Sequence, residues 1–164
     1  VVAAVVTSVS LKQFRLTMVE SEGQYAVDTA KFAATLIDGN MIDEYITRRD
    51  SAEGYFWIKR YFNLILNSSD RIKYLYVYQI KEDGCHVVFD VSTPDTPASE
   101  TGTVIPVDES FDDCIDDLLA GREIDPIITD DTYGWLLSAY VPVHDDHGKC
   151  TAYEIGRASC RERV

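Results

Sequence analysis

The chain has 164 residues, a hydrophobic content of 46% and a formal net charge of −13. This length and composition predict one folded domain with its own core. The acidic excess excludes a surface that binds nucleic acid, which needs a basic patch for the phosphates, and it opposes adsorption onto anionic lipid.

The N-terminal region begins with the apolar run VVAAVV, which is far shorter than the roughly 20 residues that span a bilayer. Residues 1–7 are therefore either the stump of a truncated transmembrane helix or the frayed start of another helix. Large side chains then recur every seven residues, at Leu11, Met18, Tyr25 and Phe32. This spacing predicts one long helix over residues 8–37, whose apolar stripe packs partly on a sheet and partly on a second copy of the helix.

The middle of the chain reads as two short helices followed by a hairpin. The helices are predicted over residues 41–49 and 55–66, and the second of them is rich in aromatic residues. Residues 72–80 then alternate, with tyrosines on one face, and a turn leads into a second strand over residues 85–91. Residues 92–106 contain three prolines and no periodicity, which is typical of either a flap over a pocket or a disordered loop.

The last part of the chain adds a helix, an edge strand and a second hairpin. The helix is predicted over residues 108–120 and the edge strand over residues 124–129. Residues 135–143 are apolar on both sides of the alternation except at Ser138, which predicts a central strand buried on two faces. Gly148 suits the tight turn that follows. The fold class is therefore α+β, with a long N-terminal helix and an antiparallel sheet of about five strands under small covering helices.

Two segments resemble a known family. GWLLSAYVPVHDDHGKCTAY, residues 134–153, looks like the last hairpin of a Cache domain, and YLYVYQIKEDGCHVVFD, residues 74–90, looks like the first. Cache domains are PAS-like sensor modules that lie outside the membrane in bacterial receptors. The resemblance implies a single Cache-like domain with a PAS-like sheet over residues 8–153. Residues 154–164, EIGRASCRERV, instead resemble a translated sequencing adapter, and we expect them to be a non-native tail.

The resemblance also implies a ligand site between the sheet and its covering helices. The predicted site residues combine aromatic walls with a few polar groups. They are Trp57, Lys59 and Arg60 on the cover, and Tyr76, Tyr78, Asp90, Ser138 and Tyr140 on the sheet. A cation beside a carboxylate or a hydroxyl would suit an amino acid or another carboxylate. The alternative is that the tyrosines only pack, as they commonly do in strands.

The remaining clusters of acidic residues, histidines and cysteines do not indicate a metal site or a catalytic site. The acidic residues at four-residue spacing, Asp108, Asp112 and Asp116, favour a solvated helix face, and the turn His144–His147 favours a polar surface over a metal site. The three cysteines that precede the tail show no C-x-x-C pair. No nucleophile elbow, zinc-protease motif, phosphate loop or dinucleotide fingerprint occurs, so the sequence predicts neither an enzyme nor a cofactor.

These expectations combine into an extracytoplasmic small-molecule sensing domain of a bacterial signal-transduction receptor. The receptor could be a histidine kinase, a cyclic-dinucleotide enzyme or a chemoreceptor. The expected partners are a small-molecule ligand, a second copy bound through the long N-terminal helix, and a membrane reached through flanking spans absent from this chain. A cytoplasmic PAS-like regulatory or dimerisation module without a ligand is the alternative, and a soluble enzyme is the third possibility.

Overall fold

The computed structural model describes residues 17, 20–94, 96–107, 111, 113–131 and 134–159. Within these residues the fold is α+β, with helices on an antiparallel sheet. The predicted fold class is thus confirmed at this level. In the described part of the chain, no helix combines the length and the apolar character that crossing a membrane requires.

The helices follow the sequence pattern closely where the structure describes them. Residues 20–34 form α1, Ile42–Arg48 form α2, Tyr55–Ser68 form α3 and Ile115–Leu119 form α4. Short 3-10 turns at Gly39–Met41 and Arg49–Ser51 flank α2. The predictions for α2 and α3 are confirmed to within two residues. Much of the predicted long helix lies outside the described residues. The same is true of most of the first part of the helix predicted over residues 108–120, of which α4 is the part described.

The corner between α1 and α2 is fixed against the last hairpin. Asp38 accepts a hydrogen bond from the backbone N–H of Asn40 at 2.9 Å, which closes the turn after α1. Gly39 lies so close to the hairpin that a Cβ atom there would be 2.2 Å from the carbonyl oxygen of His144. The Thr151 hydroxyl donates to the Gly39 carbonyl at 2.9 Å. A side chain at position 39 would therefore force the helices away from the sheet.

The sheet contains six strands in the described residues, where the sequence predicted about five. They are β1 Ile72–Lys81, β2 Gly84–Asp90, β3 Val104–Ile105, β4 Ile127–Asp131, β5 Gly134–His144 and β6 Cys150–Ser159. Their order is β3-β2-β1-β6-β5-β4, and every neighbouring pair is antiparallel. The strand that sequence reasoning missed is β3, a two-residue strand within the segment predicted as a loop.

The centre of the sheet is occupied by β1 and β6. The sequence predicted β5 as the central strand, but β5 lies second from the edge, beside the short edge strand β4. Its burial on two faces is nevertheless confirmed, because residues 136–140 are all buried. β6 pairs with β1 from Ile72 to Tyr78 and continues through residues 154–159.

Strand alternation divides the sheet into two faces with different covers. On the helix face, Leu75 and Val77 of β1 pack with Ile58 and Phe62 of α3, and Leu137 of β5 packs with α1. On the opposite face, which we call the tyrosine face, residues of β1, β5 and β6 pack with α4 and its flanking residues. The helices α1, α2 and α3 thus share one face, and α4 covers the other.

α1 contacts the sheet through small residues. Ala26, Ala30 and Ala33 are fully buried, and a Cβ atom on Gly156 of β6 would lie 3.2 Å from the carbonyl oxygen of Ala26. Of the predicted stripe of large side chains, Tyr25 packs partly buried beside this contact, whereas Phe32 is 58% exposed. The prediction named large side chains for the sheet contact and did not anticipate these alanines, whose small side chains allow the helix backbone to approach the strand closely. Leu11 and Met18 of the stripe lie outside the described residues.

Candidate functional site

The tyrosine face gathers aromatic side chains from three neighbouring strands. Tyr76 and Tyr78 of β1 stack with their ring centroids 4.6 Å apart. Tyr140 of β5 and Tyr153 of β6 belong to the same cluster, together with Ile155. Alternation along β1 and β5 brings these side chains to one face, as the sequence pattern predicts.

Polar groups lie among these rings. Ser138 is 1% exposed, and its hydroxyl accepts a hydrogen bond from Nε of Arg157 at 2.9 Å. The Arg157 guanidinium also hydrogen-bonds the Tyr76 hydroxyl. Sequence reasoning missed Arg157 because it assigned residues 154–164 to a tail outside the domain. Its position two residues after Ile155 on the same strand is the signal that could have found it.

The cover of this face is formed by α4 and the residues around it. Phe111 meets the ring of Tyr140 edge to face at a centroid distance of 5.6 Å. Leu118 of α4 is 3% exposed and packs in the same cluster. The Tyr153 hydroxyl donates to the carbonyl oxygens of Leu118 at 3.1 Å and Arg122 at 2.8 Å. β6 therefore holds the end of α4 by side-chain packing and by hydrogen bonds.

Burial raises the pKa values of the tyrosine hydroxyls above their ordinary value. It raises the pKa of Tyr76 to about 12, although the nearby Arg157 guanidinium acts in the opposite direction. Burial is also the largest cause of the raised pKa values of Tyr78 and Tyr140. At neutral pH this face therefore offers neutral hydroxyl donors and a guanidinium, a combination that suits a carboxylate or carbonyl oxygen.

A cleft opens at the edge of this face. Its volume is about 680 Å³, and Tyr140, Cys114 and Ile124 line it from the tyrosine face. Ala139 and Val141 of β5 and Val27 of α1 line it from the helix face, so the cleft spans the edge of the sheet. The cleft exists because β4 begins at Ile127, opposite Ser138, so that residues 139–144 of β5 have no strand on their outer side in the described residues.

The mouth of the cleft carries paired charges. Asp117 and Glu123 line it, and each has a basic partner. Arg122 binds Asp117 at 2.6 Å, and Lys31 of α1 lies 3.5 Å from Glu123. Asp125 also lines the cleft, so the opening stays acidic beside these exposed pairs.

Asp90 has a structural partner for each carboxylate oxygen. It lies opposite Tyr76 in the register of β2 and β1. One oxygen accepts from the backbone N–H of Val91 at 2.8 Å and the other from that of Ser99 at 2.7 Å. Burial raises the pKa of this carboxyl group against the effect of those bonds. Asp90 thus anchors the segment that follows β2.

The same segment is held at its far end by Thr101. This residue is 5% exposed, and its hydroxyl donates to the Val88 carbonyl at 3.1 Å and contacts the Tyr55 hydroxyl of α3. Of the two predictions for residues 92–106, a flap and a disordered loop, neither anticipated these attachments. They tie the segment to β2 and α3 rather than to α4.

Three predicted site residues are not brought to the tyrosine face. Trp57, Lys59 and Arg60 lie on α3, which covers the helix face on the opposite side of the sheet. Trp57 is 55% exposed, and Nζ of Lys59 lies 5.7 Å from the centre of the Tyr55 ring. The structure therefore unites Tyr76, Tyr78, Ser138 and Tyr140, with Asp90 at the margin.

Metal-binding and disulfide chemistry find no support in the described residues. No group of three histidine, cysteine, aspartate or glutamate side chains there could hold a metal ion, and Cys85, Cys114 and Cys150 are free thiols. In the turn of the last hairpin, Asp145 accepts from the backbone N–H groups of His147 and Lys149, each at 2.9 Å. These bonds, foremost the one from Lys149, lower the pKa of Asp145.

Of the three acidic residues interpreted as a solvated helix face, Asp108 and Asp112 lie outside the described residues.

Neither a scan against models of protein families nor a search of curated proteins finds a match for this chain. Function is therefore inferred from the fold and the site.

Proposed function

We propose that this chain is the extracytoplasmic small-molecule sensing domain of a bacterial signal-transduction receptor, and that the ligand binds at the tyrosine face. The observation that carries the proposal is the position of β6. Tyr153 points into the tyrosine cluster, and its neighbour Ala152 packs in the helix-face cluster that contains Ala33 of α1. Because one strand joins the two, a ligand that displaces the tyrosine face also displaces α1.

The geometry at one end of the sheet supports the same proposal. Nε of Arg71 donates to Glu22 of α1 at 3.0 Å, and its guanidinium lies 4.0 Å from the centre of the Tyr25 ring. The Arg71 carbonyl accepts from the backbone N–H of Ser159 in β6 at 3.3 Å. The start of α1 and the end of β6 thus meet at Arg71. A receptor whose membrane spans precede α1 and follow β6 needs both elements at one end.

The favoured ligand is an amino acid or another carboxylate. Tyrosine hydroxyls at neutral pH donate hydrogen bonds, and carboxylate oxygens accept them. In the proposed receptor two copies associate through the N-terminal helix, and the ligand shifts the balance between two arrangements of that dimer.

A cytoplasmic PAS-like regulatory or dimerisation module without a ligand is the second candidate. The observation that favours it is the filling of the tyrosine face, since Tyr140 is 6% exposed and Phe111 covers its ring. A ligand would have to displace this cover or enter through the cleft. A module that only dimerises would keep the cover closed.

A thermal-unfolding screen with amino acids and carboxylates separates the two candidates. A ligand at about 100 times its Kd stabilises the folded chain by about 2.7 kcal/mol, which raises Tm measurably. In the sensor, Tyr140→Phe reduces this gain because a hydroxyl donor is lost, whereas Tyr61→Phe on the exposed side of α3 leaves it unchanged. A screen without any rise in Tm favours the module without a ligand.

We further infer that residues from Glu154 onward replace natural ones. The ligand proposal therefore rests on the tyrosine hydroxyls of Tyr76, Tyr78 and Tyr140 and on the backbone course of β6, not on the side chains of Arg157 or Ser159. The supporting feature is Glu154 itself, which is 0% exposed, has no hydrogen-bond partner in the described residues, and lies between Val77 and Val141 in the register. A natural strand would carry an apolar residue here. Sequencing the source gene through this codon tests the inference, because an unchanged reading of EIGRASCRERV contradicts it.

A further inference from the structure

The outward side of α3 is apolar although it faces solvent. The inward side is formed by Tyr55, Ile58 and Phe62, so a surface helix should be polar on the other side. Four large side chains are instead exposed, and we call them the α3 patch: Phe56 at 62%, Trp57 at 55%, Tyr61 at 45% and Leu64 at 55%. The ring of Trp57 lies 5.5 Å from that of Phe56 and 6.5 Å from that of Tyr61. The patch is therefore continuous.

A groove runs beside the patch and carries both signs of charge. Its volume is about 500 Å³, and it is lined by Asp50, Phe56, Lys59, Arg60, Asn63 and Leu64. Apolar walls with two basic groups and one acidic group can match a surface of the same composition, because Asp50 of each copy can pair with a basic group of the other. This is the property of an interface between identical chains, in which each partner presents the same residues.

We propose that a second copy of this chain covers the α3 patch, with Trp57 of each protomer entering the groove of the other. The Trp57 ring then lies against the guanidinium of Arg60 in the second copy, an arrangement in which cation and ring attract each other. In the free chain, Trp57 is the residue of the patch that contacts a ring on either side, and it is the natural anchor of such an interface.

The exposed apolar area agrees with this occupant. Aromatic side chains present about 150–250 Å² each, so the patch, at about half exposure, offers roughly 400–500 Å². A standard interface buries about 800 Å² per partner, and in homodimers about 65% of it is apolar, or roughly 500 Å². On α1, Phe32 is the one large apolar side chain exposed among the described residues. α1 alone therefore does not supply this area where it is described.

Charge argues against an anionic lipid surface as the occupant. The chain carries −13 charges, which repel such a surface, while Lys59 and Arg60 are the charged residues of α3. Two copies also repel each other, and salt screens that repulsion. Dimerisation through the patch should therefore strengthen as salt rises, whereas adsorption of basic residues onto lipid should weaken.

Sedimentation equilibrium of the full chain tests this inference. We expect a dimer that tightens with salt, and we expect Trp57→Glu to weaken it at least about 30-fold, since an interface anchor contributes about 2 kcal/mol or more. The matched control is Ile128→Glu on β4, where the side chain is 45% exposed and remote from α3 in the fold. Circular dichroism checks that each variant folds.

Three outcomes would overturn the inference. The first is a wild-type chain that stays monomeric at every salt concentration. The second is a dimer that Trp57→Glu leaves as tight as Ile128→Glu does. The third is a monomer that binds phosphatidylglycerol vesicles through Trp57, which makes lipid the occupant. None of these measurements uses a ligand of the tyrosine face, so ligand binding there can stand when this inference fails. The first outcome would also contradict the dimer through the N-terminal helix, whereas the second would leave that dimer in place.

Discussion

The helix face and the tyrosine face of the sheet share the same strands but differ in how they are closed. On the helix face, alanines of α1 and aliphatic or aromatic residues of α3 leave little room, and Val77, Phe62 and Phe89 are fully buried. On the tyrosine face, hydroxyl groups and a guanidinium lie among the rings, and a cleft opens at the edge. One face fixes the helices, and the other retains groups that can exchange partners.

Apolar packing on the helix face and hydrogen bonds on the tyrosine face respond differently when neighbouring elements move apart. A closed apolar face loses packing whenever its elements separate, and nothing replaces what is lost. Hydroxyl groups can exchange a protein partner for a ligand or water at a smaller net cost. The helix face therefore keeps α1 and α3 attached to the strands, while groups on the tyrosine face can change partners.

The largest expected effect tests the helix face. Phe62→Ala removes a fully buried ring from the cluster shared by α3 and β1. We expect the free energy of unfolding to fall by about 3–5 kcal/mol, because the cavity is enclosed on all sides. Urea unfolding measures it. Ile128→Ala, at a half-exposed position of β4, should cost far less, and similar losses for the two variants would refute the contrast.

A smaller effect of opposite sign is expected at the one unpartnered carboxylate described on the helix face. Glu154→Leu removes a buried group without a hydrogen bond, and we expect a gain of about 1–3 kcal/mol in unfolding free energy. Burial also raises the pKa of Glu154 well above its ordinary value. The contribution of Glu154 to stability is therefore greatest below the ordinary glutamate pKa and is lost as the pH rises through the raised pKa.

The pH dependence separates this explanation from better packing by leucine. Unfolding in urea at several pH values should show that Glu154→Leu gains most at high pH and least in acid. Glu53→Leu, at an exposed position before α3, provides the matched control and should gain at neither. An equal gain at all pH values would mean that the carboxyl group does not titrate as its burial requires.

The smallest effect on stability is expected on the tyrosine face. Tyr76→Phe removes one hydroxyl that bonds the Arg157 guanidinium, and the cost should be about 0.5–1.5 kcal/mol. Its clearer signature is spectroscopic. Ultraviolet titration of the wild type should include one tyrosine that ionises near pH 12, and the variant should lack it. Tyr61→Phe should leave that step in place.

The sequence predicts those elements whose periodicity is strong and local. The alternation over residues 72–80 predicted β1, and the apolar run over residues 135–143 predicted β5. The aromatic run over residues 55–66 predicted α3. The pattern also shows which residues share a face, and it united Tyr76, Tyr78, Ser138 and Tyr140. These are properties of a strand or helix alone.

What the sequence did not reveal depends on pairing between distant segments. β3 has two residues, and its conformation is set by Cys85 and His86 of β2 rather than by a pattern of its own. Periodicity likewise cannot tell which face of a sheet a helix covers. The resemblance placed Trp57 over the tyrosines, whereas α3 covers the opposite face. Arg157 was excluded with the tail. Each error concerns a neighbour in space rather than a neighbour in sequence.

The stretch of β5 beyond β4 also bears on how the chain behaves at high concentration. An uncovered strand edge is a template on which another chain can add a strand and begin to aggregate. Pro142 lies in this stretch, opposite Tyr153, and it has no N–H to donate to an incoming strand. Pro142 thus interrupts the hydrogen-bond ladder that an added strand would need. We expect Pro142→Val to make the chain less soluble.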